Sequence, residues 1–170
     1  MSGGASPSEA DLAAAAQRLG TALLNRKWTL ATAESSTAGL VGHAITMIPG
    51  ASRYYPGGVI AYSNWAKEVE LGVDRDILQQ SGAVSADAAA AMADGTRRRF
   101  ETDVGLSVTG IAGPEGAVPG KPVGLHYVAV VRTGRPPQVE RHTFTFDRDG
   151  NKAAAALAAL TLACAEIEAA

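Results

Sequence analysis

Short apolar segments typical of β-strands alternate along this chain with longer segments of helical periodicity. TLATAE (29–34), GGVIAYS (57–63) and DVGLSVTG (103–110) predict three strands. LHYVAVV (125–131) and QVERHTFTF (138–146) follow closely on one another and predict an antiparallel hairpin. Because strands and helices alternate, the chain is expected to form a layered α/β fold with a mostly parallel sheet and one late antiparallel pair.

The helical segments carry recognisable ends. Ser8 and Ser85 are suited to cap the helices that follow them, and Gly72 suits the C-terminal cap of a short helix. We expect residues 1–8 to be a flexible tail and residues 9–170 to be a single domain, since no repeat or linker divides them. The predicted helices lie within 8–28, 37–47, 64–71, 85–100 and 151–168, with a turn or short helix over 74–82.

Charge and hydropathy exclude several classes of protein. Fifteen basic and seventeen acidic residues give a formal net charge of −2, so no broad basic face for nucleic acid is expected. The one basic run, 97–99, falls at the end of a predicted helix, where cations complement the helix dipole. No apolar stretch is long enough to predict a transmembrane helix.

Two further features suggest a location in the cell. The first ten residues lack the basic-then-apolar layout of a secretory signal peptide. The single cysteine, Cys164, excludes an internal disulfide and a multi-cysteine zinc site. We therefore expect a cytoplasmic protein with no partnership with a membrane.

Polar residues stand at the carboxyl ends of three predicted strands. They are Glu34-Ser35, Tyr62-Ser63-Asn64 and Thr109-Gly110. In open α/β sheets, ligands bind beyond the carboxyl ends of the strands. The three segments are therefore expected to converge on one crevice.

Ser35, Tyr62 and Lys67 form the chemically most suggestive set. A serine hydroxyl needs a base to become a nucleophile, and a lysine can be that base when burial lowers its pKa. Tyr62 could relay a proton or hold the lysine, and free N–H groups at a helix entrance beside Ser35 would suit an oxyanion or a phosphate. The residues also allow a simpler account, in which Ser36 or Thr37 caps a helix and Lys67 is a solvated charge.

A glycine-rich loop follows the third strand. In TGIAGPEG (109–116), Gly110, Gly113 and Gly116 would permit close approach of the backbone to a ligand, and Pro114 and Pro119 would stiffen the wall. An ordinary connecting loop with turn residues would have the same composition.

Other catalytic and cofactor patterns are missing from the sequence. It contains no GxGxxG after the first strand, no Walker A motif and no GxSxG nucleophile elbow. His43 lies in a predicted helix, and His126 and His142 lie in predicted strands, so structural roles are expected for all three. Without a cluster of ligands at metal-binding spacing, we predict no metal site.

Seven short segments, taken together, resemble the CinA carboxy-terminal domain family. AESSTAGL, PGAS, GGVIAYSNWAK, LGV, SGAVS, VTGIAGPEG and KPVG occur in the family's order, and the likeness runs from about residue 10 to the final helix. The resemblance implies a three-layer α/β/α sandwich around a mixed sheet, without metal or cofactor. It also implies nicotinamide-nucleotide amidase activity, in which the carboxamide of nicotinamide mononucleotide is hydrolysed to nicotinate mononucleotide and ammonia during pyridine-nucleotide salvage.

The resemblance places the catalytic residues at Ser35, Tyr62 and Lys67. Lys67 would take the proton of Ser35, which attacks the carboxamide, and Tyr62 would help to pass a proton to ammonia. Backbone donors near Ser35 and Ser36, or in the 50–52 turn, would hold the oxyanion. The expected substrate contacts are Glu34, Ser36, Thr37, Ser52, Asn64, Thr109, Gly110, Gly113 and Arg148.

Two segments depart from the family pattern. Ser36-Thr37-Ala38-Gly39 stands where Cys-Thr-Gly-Gly is usual, so two hydroxyls are adjacent and the choice of Ser35 as nucleophile depends on register alone. Phe146 stands before Asp147-Arg148 in place of glycine, which bears on phosphate binding. An amidase with a shifted substrate and a non-catalytic nucleotide-binding or protein-interaction module are alternatives. Apolar surface on the alanine-rich helices 86–93 and 153–165 suggests a homodimer or a higher homo-oligomer.

Overall fold

The structure is a computed structural model that describes residues 5–170. The prediction of an N-terminal tail therefore falls partly outside the described residues. Six helices and five strands follow one another in the described part of the chain. They are α1 (Glu9–Arg26), β1 (Leu30–Glu34), α2 (Leu40–Thr46), β2 (Gly57–Ile60), α3 (Asn64–Leu71), α4 (Arg75–Gln80), α5 (Ala86–Phe100), β3 (Val104–Gly110), β4 (Leu125–Arg132), β5 (Gln138–Thr143) and α6 (Arg148–Glu168).

The five strands form one mixed sheet in the order β2-β1-β3-β4-β5. β1 pairs in parallel with β2 and β3, whereas the β3–β4 and β4–β5 pairs are antiparallel. The α/β fold and the late hairpin are confirmed. The expected mixed sheet is confirmed as well: four of the five strands point the same way, and two of the four pairings are antiparallel. The connection between β3 and β4 contains no helix, and β4 lies antiparallel beside β3.

One face of the sheet is covered by α1, α2 and α6. β3 turns its large residues to this face, where Val104, Leu106 and Val108 pack against leucines and alanines of these helices. α1 begins at Ser8, whose hydroxyl accepts the amide of Asp11 in a capping box. This layer contains the larger part of the apolar core.

The other face of β3 carries small residues because α5 lies directly on it. A Cβ at Gly105 would lie 1.9 Å from the carbonyl oxygen of Ala93, and the Ser107 hydroxyl donates to the carbonyl of Ala89 at 2.6 Å. The alanines from which the helix α5 is predicted are thus also the residues that allow α5 to pack closely on β3. α3 and α4 complete the layer by packing against α5.

The alanine-rich helices do not offer the apolar surface expected of them. Ala88, Ala89 and Ala93 of α5 are buried against the sheet, and most alanines of α6 are buried against β3, β4 and α1. The apolar faces of these helices are largely used inside the fold, and the homo-oligomer stays a prediction.

Several predicted boundaries shift. α2 begins at Leu40 instead of residue 37, and α6 begins at Arg148 instead of residue 151. β2 ends at Ile60 and β5 at Thr143, each three residues before the predicted end. Within residues 5–170, no helix has both the length and the hydropathy needed to cross a membrane.

Candidate active site

The segment between β1 and α2 is a tight turn that holds Ser35. The amide of Ser35 donates to the carbonyl of Val108 at 3.0 Å, which extends the β1–β3 pairing by one residue. Ala38 and Gly39 then adopt positive φ angles of 52° and 99°, and the chain reverses into α2. Ser35 is therefore fixed at the carboxyl edge of the sheet, and only 7% of its surface is exposed.

Glu34 stabilises this turn and the start of α2 through hydrogen bonds to backbone amides. Its carboxylate accepts the amide groups of Gly39, Val41 and Gly42 at 2.9, 3.1 and 2.8 Å. Glu34 therefore occupies amide groups at the start of α2 itself, and the free N–H groups expected beside Ser35 are those of Ser36 and Thr37. Glu34 is 2% exposed and lies outside the lining of the cavity described below, and its expected role as a substrate contact stays a prediction.

Lys67 lies beside Ser35. It is carried by α3, which Ser63 caps by accepting the amide of Ala66 at 3.1 Å. The Lys67 ammonium donates to Ser35 Oγ at 3.1 Å, to the carbonyl of Ala61 at 2.8 Å and to that of Tyr62 at 3.4 Å.

The surroundings of Lys67 disfavour its charge. Only 1% of the residue is exposed, and no carboxylate of residues 5–170 forms a salt bridge with it. Burial lowers the pKa of Lys67 from 10.5 to about 8, because the ammonium form loses its hydration. The arrangement is that of a serine hydroxyl with a lysine able to accept its proton.

Tyr62 occupies the rim of the site. Its side chain is 64% exposed, and its hydroxyl lies 3.5 Å from Arg148 Nη2. Lys67 contacts Tyr62 through the backbone carbonyl and not through the phenol. The side chain is thus placed to touch a ligand at the mouth of the site.

A cavity of about 240 Å³ opens above Ser35 at the carboxyl edge of the sheet. The ends of β1 and β3, the start of α3, the segment before α5, the glycine-rich loop and the start of α6 all contribute to it. Its lining residues are Ser35, Ser36, Tyr62, Lys67, Ala83, Val84, Thr109, Gly110, Ile111, Ala112, Gly113, Glu115, Gly116 and Arg148.

Three more of the expected substrate contacts lie outside this lining. Thr37 is buried beneath the turn, and Asn64 is exposed on the first turn of α3. Ser52 lies in a short 3₁₀ turn (Ala51–Arg53) next to Tyr54, whose carbonyl pairs with the amide of Leu30 at the amino end of β1. That is the opposite edge of the sheet, so neither Ser52 nor the 50–52 turn reaches the site.

Thr109 and Gly110 line the cavity but also serve the fold. The Thr109 hydroxyl donates to the carbonyl of Ala83 at 2.7 Å. A Cβ at Gly110 would lie 2.1 Å from Cδ2 of His126, a buried residue whose Nδ1 bonds the carbonyl of Gly124 at 2.9 Å. Gly110 is therefore required by packing against His126, and not only by a ligand. Desolvation lowers the pKa of His126, which fits a neutral structural histidine.

Arg148 joins the start of α6 to the glycine-rich loop. Its Nη1 donates to the carbonyl of Gly113, a residue with a φ of 89°. Asp147 caps α6 by accepting the amide of Gly150 at 2.8 Å. Arg148 thus presents a guanidinium at the rim while the helix end itself is occupied by Asp147.

Sequence reasoning missed the other walls of the cavity. Ala83 and Val84 form one side, and Ile111, Ala112 and Glu115 form part of the loop side. The alanines, Val84 and Ile111 have no chemistry that would single them out. Glu115 lies within the glycine-rich loop, and its carboxylate was the only feature of these residues that could have indicated a place in the site.

The amide groups of Ser36 and Thr37 donate no hydrogen bond to another residue in 5–170. Both side-chain hydroxyls are buried and also lack a partner there. The expectation that one of these hydroxyls caps α2 is wrong, because Glu34 takes that role. Within the described chain, no three His, Cys, Asp or Glu side chains are grouped so as to hold a metal ion.

Fold and site together define an α/β sandwich with a buried serine–lysine pair at the carboxyl edge of a mixed sheet. Residues 12–167 match the model of the CinA C-terminal domain, and the chain belongs to that family.

Relatives of this chain are considerably longer than it is. It is 52% identical over 134 residues to a putative competence-damage inducible protein of Halothermothrix orenii, covering 79% of this chain and 32% of that protein. It is 48% identical over 142 residues to a CinA-like protein of Salinibacter ruber, covering 84% and 34%. The chain thus spans about a third of the length of the curated relatives it matches.

Solved structures share the fold over nearly their whole length. A CinA superfamily protein from Klebsiella pneumoniae matches with a TM-score of 0.90 and 29% identity, over 94% of this chain and 99% of that one. The competence/damage-inducible protein CihA from Agrobacterium tumefaciens matches with a TM-score of 0.89 and 33% identity, over 95% and 98%.

Proposed function

We propose that this chain is a serine–lysine amidohydrolase that hydrolyses the carboxamide of nicotinamide mononucleotide to nicotinate mononucleotide and ammonia. The observation that carries the proposal is the 3.1 Å contact between Lys67 Nζ and Ser35 Oγ in a buried setting. The choice of substrate follows the activity that the family resemblance implies. The proposed activity and substrate concern the CinA C-terminal domain alone and not the longer relatives as a whole.

Acylation begins with neutral Lys67. Its amine takes the proton of Ser35 Oγ as that oxygen bonds to the carboxamide carbon. The charge that develops on the carboxamide oxygen is held by the unpaired amide groups of Ser36 and Thr37, which follow the nucleophile directly. The C–N bond then breaks, Lys67 returns the proton to the leaving nitrogen, and ammonia departs from an acyl ester on Ser35.

Deacylation repeats these roles with water. Lys67 takes a proton from a water molecule that attacks the ester carbon, and the proton returns to Ser35 Oγ as the C–O bond breaks. The product is a carboxylic acid, which ionises. Lys67 carries the proton in both steps, and Tyr62, whose hydroxyl lies 3.5 Å from Arg148 Nη2 at the rim, would assist the transfer to ammonia as the resemblance implies.

The rim is suited to the distal part of a nucleotide. Arg148 and Tyr62 together offer a guanidinium and a phenol, which bind phosphate oxygens by charge-assisted hydrogen bonds. Val84 and Ile111 give the cavity apolar walls against which an aromatic ring can pack.

Glu115 favours a second candidate, an amidase for an amide without a phosphate. Its carboxylate lines the same cavity as Arg148 and would repel a phosphate placed near it. Nicotinamide riboside, which lacks the phosphate, would meet no such repulsion. Comparing kcat/KM for nicotinamide mononucleotide, nicotinamide riboside and nicotinamide separates the two candidates: a preference for the mononucleotide supports the proposal, and a preference for the riboside contradicts it.

The test of the proposal is turnover by purified protein with a chelator present. Ammonia and nicotinate mononucleotide are measured for the wild type, Ser35→Ala, Ser36→Ala and Lys67→Ala. We expect Ser35→Ala and Lys67→Ala to lose at least a thousandfold in kcat. Ser36→Ala retains the Ser35–Lys67 contact and keeps turnover within about tenfold, the effect of losing at most one neutral hydrogen bond to the substrate. If Ser36→Ala alone abolishes turnover, the nucleophile has been assigned to the wrong serine.

A further inference from the structure

Two walls of the cavity are separate pieces of chain. One is Ala83-Val84, in the segment between α4 and α5, and the other is the loop 111–124 between β3 and β4, which contributes Gly113, Glu115 and Gly116. The tip of this loop is a turn in which Val118 and Lys121 exchange backbone hydrogen bonds of 3.1 and 2.9 Å. The base of the loop is already held, because Arg148 donates to the carbonyl of Gly113 and Asn151 Nδ2 donates to the carbonyl of Ala112 at 2.9 Å. The distal part, 114–121, has its internal turn but no hydrogen bond to Arg148 or Asn151.

Lys121 supplies a tie between the two walls. Its Nζ donates to the carbonyl of Ser81 at 2.7 Å, across forty residues of chain. Gly82 makes room for the ammonium, since a Cβ there would lie 2.7 Å from Nζ. Gly82 also has a φ of 80°, so glycine is favoured at this position for both reasons.

The acceptor side of this bond is held in place by its own contacts. Ser81 Oγ donates to Asp87 Oδ2 at 2.6 Å, and Ser85 Oγ donates to the carbonyl of Gly82 at 2.8 Å. Thr109 bonds the carbonyl of Ala83 from the strand beneath. The Ala83-Val84 wall is thus fixed, and the distal part of the loop, which contributes Glu115 and Gly116 to the cavity, is the part whose position depends on Lys121.

We propose that Lys121 is a positioning residue that sets the width of the substrate cavity by holding the glycine-rich loop against the 81–84 segment. The proposal rests on the function proposed above, because it takes this cavity to be the substrate site. Lys121 does not line the cavity, so it acts on binding through the loop and not by touching the substrate. Its loss is expected to raise KM and to leave the Ser35–Lys67 chemistry, and hence kcat, unchanged.

The test compares Lys121→Met with Arg135→Met. Methionine preserves most of the length of Lys121 but removes the donor, and Arg135→Met removes a cation from the exposed turn between β4 and β5. We expect Lys121→Met to raise KM for nicotinamide mononucleotide about five- to tenfold with kcat within twofold. Amide hydrogen exchange over 111–121 is expected to accelerate about tenfold without substrate. Arg135→Met is expected to change neither quantity.

The exchange measurement keeps this proposal separate from the proposed function. If the wild type does not turn over, calorimetric Kd values for nicotinamide mononucleotide replace KM, and exchange without substrate still reports on the tie. Unchanged exchange in Lys121→Met would overturn the proposal, as would unchanged KM or Kd. An equal effect in Arg135→Met would also overturn it, because any loss of positive charge would then suffice. A large fall in kcat would contradict a role confined to positioning.

Discussion

A change of pH is the most informative perturbation, because it changes the fraction of Lys67 that is neutral. Only neutral lysine can take the proton of Ser35, and burial places its pKa at about 8 instead of 10.5. With that pKa, about 1% of Lys67 is neutral at pH 6, about 9% at pH 7 and about half at pH 8. With the ordinary value, only about 0.03% would be neutral at pH 7.

The expected profile follows from these fractions. kcat/KM should rise about tenfold for each pH unit below 8 and level off above it, because the neutral fraction approaches one. The assay is ammonia release from nicotinamide mononucleotide between pH 5.5 and 10 at constant ionic strength, with protein stability checked at each pH. A profile that is flat between pH 6 and 9, or one that still rises steeply from pH 9 to 10, would refute the assignment of Lys67 as the base.

Three further predictions concern stability and are measured by urea unfolding. Wild type should gain about 2 kcal/mol in total over Lys67→Met between pH 8 and 10, because the unfolded chain keeps a proton on Lys67 that the folded chain has lost; parallel curves would contradict the lowered pKa. Ala38→Gly should stabilise by about 0.5–1 kcal/mol by relieving the φ of 52°, and a destabilised variant would show that this turn carries no strain. Glu34→Gln should destabilise by about 2 kcal/mol, since the carboxamide keeps only one of the two acceptor oxygens and at least one of the three amide groups then faces an NH2 donor; an effect below 0.5 kcal/mol would count against that role.

Much of the fold could be predicted from periodicity and end signals. Ser8, Ser63 and Ser85 all cap helices, and Gly72 ends α3 in a left-handed conformation. The antiparallel pairing of β3 with β4 could not be predicted in this way. A loop of fourteen residues can carry a crossover or a return, and hydrophobic pattern alone does not distinguish them.

The candidate site divides in a similar manner. Ser35, Tyr62 and Lys67 could be found because their side chains can act as a nucleophile, a proton donor and a base, and because they follow predicted strands. The structure places all three at one cavity. Their catalytic roles stay predictions. The positions of Glu34 and Ser52 relative to the cavity could not be predicted, because they depend on the tertiary structure. A carboxylate next to the nucleophile can face the cavity or the helix end, and only the fold shows that Glu34 takes the latter.

The walls of the cavity were beyond sequence reasoning for a different reason. Val84 and Ile111 are ordinary apolar residues, and they gain importance only through their position over Ser35. From the sequence, Lys121 would likewise be taken for a solvent-exposed lysine, and only the structure shows its hydrogen bond to the carbonyl of Ser81.

The central claim is that Ser35 becomes acylated during turnover. The measurement that tests it most directly is acid quenching of wild-type protein during hydrolysis of nicotinamide mononucleotide, followed by mass mapping of the peptide that contains residues 33–40. We predict an acyl ester of nicotinate mononucleotide on Ser35 in the wild type, and neither ester nor turnover in Ser35→Ala. An ester on Ser36, or turnover that persists in Ser35→Ala, would contradict the account.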